Sequence, residues 1–180
     1  MVVGSNAKLN LGLRVVGKRP DGYHEIRSLF QEIDFGDQIE LTPLEDGRVE
    51  VLSSDGVVPN DHRNLAARAA LLLQAYFPES GGVHVSIQKH IPVGAGLGGG
   101  SSNAAATLVG LNGLWSLGLE TEALARLGLQ LGSDVPFFVR GGAAVVSGRG
   151  DVIEPVLGLR NRTFVLAHPG FAVETAWAYS

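Results

Sequence analysis

The sequence predicts an α+β fold, and three observations carry that reading. The first fifty or so residues alternate apolar and polar positions as strands do. From Asn64 the apolar residues recur at helical spacing instead. A further strand then runs into a glycine-rich loop, "IPVGAGLGGGSSNAA", which opens a second helix. The strands come as an early run rather than in regular alternation with helices, so a repeated βαβ architecture is not expected.

Composition bounds what such a fold can do. The chain has 180 residues, 45% hydrophobic and 18% charged, with a mean hydropathy of +0.18. That is enough apolar material for a real core. The net charge is −4 and no Lys/Arg block occurs, which argues against nucleic acid as a partner. The absence of cysteine excludes a disulfide framework, a thiolate metal site and a cysteine nucleophile. It is compatible with a reducing cytoplasm, the expected location. "MVVGSNAKLN" lacks the basic region and long apolar run of a signal peptide, and no apolar stretch is long enough for a transmembrane helix, so no membrane partner is expected.

The elements follow in order. In "AKLNLGLRVV", Leu9, Leu11, Leu13 and Val15 alternate with Lys8, Asn10, Gly12 and Arg14, the pattern of a half-buried strand. "KRPDGYHE" holds a Pro-Asp-Gly turn. "IRSLFQEIDFGDQIELTPL" reads as one or two strands ending near Pro43, and "RVEVLS" as another. Leu65, Ala69, Leu72, Leu73 and Tyr76 mark a helix that Pro78 stops. "GVHVSIQK" is a strand, and Asn103 to about Leu117 an alanine-rich helix. "TEALARLGLQLG" is a helix with Thr121 as its candidate cap, "SDVPFFV" a loop entering an apolar segment, and "GGAAVVSGRG" and "RTFVLAHPG" two further strands.

The glycine loop is the most informative stretch. Glycines let backbone N–H groups approach a ligand, and a helix beginning just after them adds unpaired donors and the positive end of its dipole. Gly94, Gly96, Gly98, Gly99 and Gly100, followed by Ser101 and Ser102, therefore suggest a phosphate cradle; the plainer alternative is a tight turn with a serine cap. A P-loop is excluded, because Gly100 stands where that motif requires lysine. Gly94, Gly96 and Gly99 satisfy G-x-G-x-x-G, with Glu120 at a plausible distance for a ribose. The context of a dinucleotide-binding oxidoreductase is missing, because Ile91-Pro92 separates strand from loop and the chain does not open with βαβ.

Several side chains could carry chemistry beside that loop. Asp134 precedes Val135, Pro136, Phe137 and Phe138, and a carboxylate desolvated by such neighbours favours proton uptake; it could equally cap a turn. Lys8 and Asn10 share the polar face of the first strand, where they are either aimed at a site or simply solvated. Tyr23 and His24 beside their turn could stack on or hydrogen-bond a base, or serve as ordinary surface groups. Asn64 could cap its helix and Leu65 join the core. His62, His84, His90 and His168 show no metal-ligand spacing and are read as structural or surface groups, so the protein is expected to hold no metal of its own.

"PVGAGLGGGSSNAA" resembles the second motif of the GHMP kinases, small-molecule kinases that hold ATP without a P-loop. "AKLNLGLRVVGKRPDGYHE", "RNLAARAA" and "GSDVPFF" agree in order and spacing, so the resemblance runs from about Ala7 to the last residue. It implies the family's N-terminal domain, of the ribosomal protein S5 domain 2-like fold, over residues 1–160. Residues 161–180 would begin the connection to a C-terminal domain absent from this chain, together with the family's third glycine-rich motif. The triple glycine is most similar to a branch that phosphorylates the 2-hydroxyl of methylerythritol linked to cytidine diphosphate, in non-mevalonate isoprenoid biosynthesis. The resemblance implies a catalytic pair, Asp134 as base and Lys8 as its assistant. It implies ATP contacts at Pro92, Val93, Gly94, Ala95, Gly96, Leu97, Gly98, Gly99, Gly100, Ser101 and Ser102, with Asn64, Leu65 and Lys89 around adenine and ribose. Mg2+ would arrive with ATP, held by the phosphates with help from Ser102. Asn10, Tyr23, His24, Thr175 and Tyr179 would contact the acceptor, Tyr23 and Tyr179 by stacking. Another GHMP kinase and a nucleotide-binding fragment with little activity are the competing readings.

Overall fold

A computed structural model describes residues 1–20, 22, 24–54, 56–168 and 170. Its elements are β1 (Val2–Lys18), β2 (His24–Leu44), β3 (Val49–Ser53), α1 (Leu65–Tyr76), β4 (Gly82–Gln88), α2 (Gly99–Leu114), α3 (Thr121–Leu129), α4 (Val135–Arg140), β5 (Ala143–Gly148) and β6 (Val152–Pro155). The sheet runs β3-β4-β2-β5-β6, with β1 on the other edge of β2. All pairs are antiparallel except β3 with β4, which are parallel and joined through α1. The α+β expectation holds, with one βαβ unit inside it.

Strand β2 organises the domain. It is a single strand of 21 residues. One edge pairs with β1 almost throughout, while the other serves β5 from Ile26 to Gln31 and β4 from Gln38 to Leu44. Between those partners the ladder stops, and two β2 carboxylates take over. Glu32 accepts the Gly142 N–H at 2.7 Å, and Asp37 accepts the N–H groups of His90 and Ile91. Backbone donors left outside the ladder need a partner, and here side chains supply it.

The core lies between the sheet and helices α1 and α2. Ile39, Leu41, Val83, Val85 and Ile87 on the strands meet Leu73, Leu108 and Leu111 on the helices. The buried face of α1 is mostly alanine, Ala66, Ala67, Ala69 and Ala70, and α2 offers Ala104, Ala105 and Ala106. Small side chains let the two helices and the sheet approach closely. A smaller cluster of Phe30, Phe137, Ala144 and Val146 lies under α4, where Phe30 and Phe137 meet edge to face at 5.3 Å.

Five expectations change. The alternation in β1 does not bury its leucine face, since Leu13 and Val15 are 40% and 44% exposed while Lys8 is 3% exposed. Register shifts at Asn6/Lys8, Asn10/Gly12 and Val15/Gly17 break the period, and the distal half of the hairpin lies exposed. Helix α2 starts at Gly99, inside the glycine run, rather than at Asn103. The residue before α3 is Glu120, and no side chain caps that helix, so Thr121 is not its cap. "SDVPFFV" is mostly helical rather than a loop, and Thr163–His168 of "RTFVLAHPG" forms no strand, the additional strand being β6.

One glycine shows how tightly β1 lies against β2. A Cβ at Gly36 would sit 2.6 Å from the Ser5 carbonyl oxygen and 2.8 Å from Asn6 Cα, both backbone atoms that cannot swing away. Gly36→Ala should therefore destabilise the fold by about 1–3 kcal/mol, read as a lower urea midpoint at unchanged slope.

Candidate active site

The glycine loop begins where β4 ends and closes into α2. Gly94, Gly96 and Gly98 take φ of 72°, 72° and 74°, the left-handed region that side chains rarely adopt. Gly98 is doubly constrained, because a Cβ there would lie 2.7 Å from the Phe138 ring. With Gly98 at the cap position, the N–H groups of Gly99, Gly100 and Ser101 are the first of α2 and have no carbonyl within the helix to meet. These residues help line a cavity of about 370 Å³, together with residues 92–98, Asn64, Leu65, Lys89 and Asn103. Sequence reasoning missed its opposite wall, Val57, Val58, Pro59 and Arg63. No motif marks that segment; only the fold of the β3–α1 connection brings it over the loop.

Lys8 joins the loop to Asp134. Its ammonium donates to Asn10 Oδ1 at 2.9 Å and to the Gly96 carbonyl at 3.3 Å, and its backbone N–H donates to the Leu97 carbonyl at 3.0 Å. It lies 4.2 Å from the centroid of the Phe30 ring and 3.8 Å from Asp134 Oδ2. That last separation makes an ion pair but not a hydrogen bond. Asp134 occupies the N-cap position of α4 without capping it, so the turn-capping alternative fails. Its side chain is 29% exposed. Burial lowers the pKa of Lys8, with Asp134 pushing the other way. Burial raises that of Asp134, against the pull of Lys8. Two groups of opposite charge are thus each moved toward their neutral forms.

Other expected site residues divide. Asn64 is buried, and its side chain caps α1 through Ala66 N–H while donating to the Pro59 carbonyl. It shapes the cavity wall but has both ends occupied. Leu65 lines the cavity and packs on the core. Ser101 lines the cavity, but Ser102 does not. The Ser102 hydroxyl is buried, donating to the Asn6 carbonyl and accepting from Ser5 Oγ, so the structure contradicts its expected place on the phosphates and metal. Lys89 lines the cavity with its side chain 5% exposed, its ammonium held by Asp37 and near Asn103 Oδ1.

On the acceptor side, Asn10 is brought to Lys8 as expected. His24 opens β2 opposite Lys18, half-buried. Along the strand it is remote from Glu32, the partner of Lys8, yet the β5–β6 turn shortens the path. A Cβ at Gly150 would lie 3.9 Å from both Asp134 Oδ1 and Ile26 Cδ1, and Ile26 is two residues from His24. Glu25 fastens this corner, accepting from Gly148 N–H and pairing with Arg19. Tyr23, Thr175 and Tyr179 lie outside the described residues. Among the described residues no three His, Asp or Glu side chains gather as a metal site.

A left-handed glycine loop feeding a helix has a Lys–Asp ion pair against it and a mixed sheet behind. Residues 64–142 match the family model described as "GHMP kinases N terminal domain". The chain is 51% identical over 179 residues to the 4-diphosphocytidyl-2-C-methyl-D-erythritol kinase of Bacillus mycoides, covering 99% of this chain and 62% of the relative. The Geobacillus sp. enzyme of the same name is 50% identical with the same coverage. A crystal structure of 4-(cytidine 5'-diphospho)-2C-methyl-D-erythritol kinase superposes with a TM-score of 0.82 at 36% identity, over 99% of this chain and 63% of that one. A homoserine kinase from Cytophaga hutchinsonii, at 22% identity and a TM-score of 0.70, covers 99% of this chain and 58% of its own; it shares the fold. The chain thus spans about three fifths of the length of the relatives it matches.

The raised pKa of Asp134 has a measurable consequence. Where the folded pKa exceeds the unfolded value, the folded state binds more protons, so stability is full below the unfolded pKa, near 3.8, and is lost as pH rises through the folded one. Wild type should therefore lose stability relative to Asp134→Asn as pH rises from about that value, as chemical denaturation at successive pH values would show. A parallel pH dependence in both proteins would contradict the desolvation argument.

Proposed function

We propose that this domain supplies the nucleotide site and catalytic pair of an ATP-dependent kinase acting on the 2-hydroxyl of 4-diphosphocytidyl-2-C-methyl-D-erythritol, giving the 2-phosphate and ADP. The reaction belongs to non-mevalonate isoprenoid precursor biosynthesis. The observation that carries the reading is Lys8, whose ammonium touches the loop carbonyl of Gly96 on one side and pairs with Asp134 on the other. One cation thereby stands between the expected positions of donor phosphate and acceptor alcohol. Half-identity to enzymes named for this acceptor supports the choice of alcohol.

Phosphoryl transfer asks for positioning, charge neutralisation and a proton acceptor rather than covalent chemistry. In this reading the N–H groups of residues 94–101 enclose the phosphates, and the wall from Val57 to Leu65 takes the adenosine. Asp134, free of any hydrogen bond to Lys8 at 3.8 Å, accepts the alcohol proton as the oxygen attacks the γ-phosphorus and the bond to ADP breaks. Lys8 neutralises charge developing on the transferred group. Mg2+ fits on the nucleotide phosphates rather than in a protein cage, with Ser101 the hydroxyl of the serine pair that lines the cavity. An extended acceptor suits the acceptor side, its alcohol at Asp134 and Asn10 and its cytosine near His24, with Tyr23, Thr175 and Tyr179 as further contacts. Among the described residues no helix is long and apolar enough to cross a membrane, and with a net charge of −4 we place the protein in the cytoplasm, without nucleic acid as a partner.

The competing reading is a domain that binds ATP without turning over. Incubation with ATP, Mg2+ and the cytidyl alcohol, followed by ADP release and 31P NMR of the product, separates the two. Asp134→Asn should lower kcat by about 10²–10⁴-fold and Lys8→Met by about 10²–10³-fold, both retaining ATP binding. Wild-type turnover in Asp134→Asn would remove the base assignment, and ATP binding without any ADP release would favour the second reading.

A further inference from the structure

We propose that Lys89 serves the nucleotide site through Asp37 and not by touching the nucleotide. The buried Lys89–Asp37–Asn103 cluster sets the register of the glycine loop on the first turn of α2 and ties it to the strand that carries Lys8. The inference rests on the nucleotide reading of the loop above.

The Asp37 side chain is fully buried. One oxygen accepts from the backbone N–H groups of His90 at 2.7 Å and Ile91 at 2.9 Å, the residues immediately before Pro92. The β2–β4 ladder ends at Gln38 and Gln88, so those two amides have left the sheet, and Asp37 fixes the angle at which the loop departs. Its other oxygen accepts from the Lys89 ammonium and from Asn103 Nδ2 on α2. Asn103 Nδ2 also donates to Ser5 Oγ, which donates to Ser102 Oγ, which donates to the Asn6 carbonyl two residues before Lys8. A single hydrogen-bonded chain therefore links loop entry, helix start and the β1 segment leading to the catalytic lysine.

Electrostatics keep Lys89 in this position. Moving its ammonium onto a phosphate would leave Asp37 charged and buried without a counter-ion, a strongly unfavourable state. A Cβ at Gly99 would lie 3.2 Å from Lys89 Nζ, so the ammonium sits against the start of α2, where the helix dipole disfavours a cation. Asp37 offsets that. Lys89 in turn is the ion-pair partner of Asp37 and so acts as a positioning residue.

The test is displacement of a fluorescent ATP analogue from the full chain by ATP and by adenosine, with circular dichroism confirming the fold of each variant. Lys89→Met and Asp37→Asn should each weaken ATP by about tenfold or more, and the double variant by no more than the worse single one, as expected of residues acting as a unit. Adenosine should compete as in wild type. Asn103→Ala, which leaves the ion pair in place, should also weaken ATP, and decides the matter if the charge variants do not fold. If Lys89→Met costs as much in the Asp37→Asn background as in wild type, Lys89 is a direct ligand and the proposal fails. It fails equally if all folded variants bind ATP like wild type. No ATP binding by wild type would overturn the nucleotide reading itself, and this inference with it.

Discussion

A buried ammonium must be surrounded by groups that replace water, and Lys8 draws them from four parts of the chain. Asn10 supplies an amide oxygen, the glycine loop a carbonyl, α4 a carboxylate and β2 an aromatic face. Each of those elements is therefore placed with respect to the same atom. Losing water disfavours the charged lysine, while the Asp134 carboxylate and the Phe30 ring favour it. Asp134 is desolvated in turn, and the cation beside it holds down what would otherwise be a larger rise in its pKa. The balance leaves a desolvated carboxylate next to a desolvated cation, the pair on which the kinase proposal rests.

The architecture behind the pair follows from the unpaired interval in β2. A strand with two successive partners on one edge must leave backbone groups exposed where one partner departs and the other has yet to arrive. Glu32 and Asp37 sit at the ends of that interval and meet amides from opposite directions, Gly142 on the β5 side and His90 and Ile91 on the β4 side. The gap thus becomes a pair of clamps, one beside α4 and one at the base of the glycine loop. A solved structure of low identity, the homoserine kinase, shares this fold.

Much of this was legible in the residues themselves. The strand, glycine loop and helix around Gly94–Gly100 were plain, because alternation, bare backbone and an alanine run each have a local physical cause. Asp134 stood out for its apolar neighbours. Local signals misled where long-range packing took control. The leucines of β1 alternate cleanly, but the outer hairpin has too little packed against it, so Leu13 and Val15 stay exposed while Lys8 is buried. Two adjacent serines looked equivalent, yet the helical turn sends Ser101 to the cavity and Ser102 into β1. Asp37 gave no signal in "DFGDQ", since its partners lie more than fifty residues away along the chain.

By itself the sequence determined the α+β class, the helix-opening glycine loop and the four spaced motifs that resemble the GHMP kinases. These rest on local backbone preference and on residue types that need no partner to be recognised. Tertiary structure alone decided which lysine pairs with Asp134 and which is locked beneath the loop, which serine reaches the cavity, and how the β5–β6 turn brings the His24 end of β2 toward Asp134. Those outcomes depend on desolvation and on contacts between residues far apart in the chain, and burial changes the energy of a charge more than any local preference can.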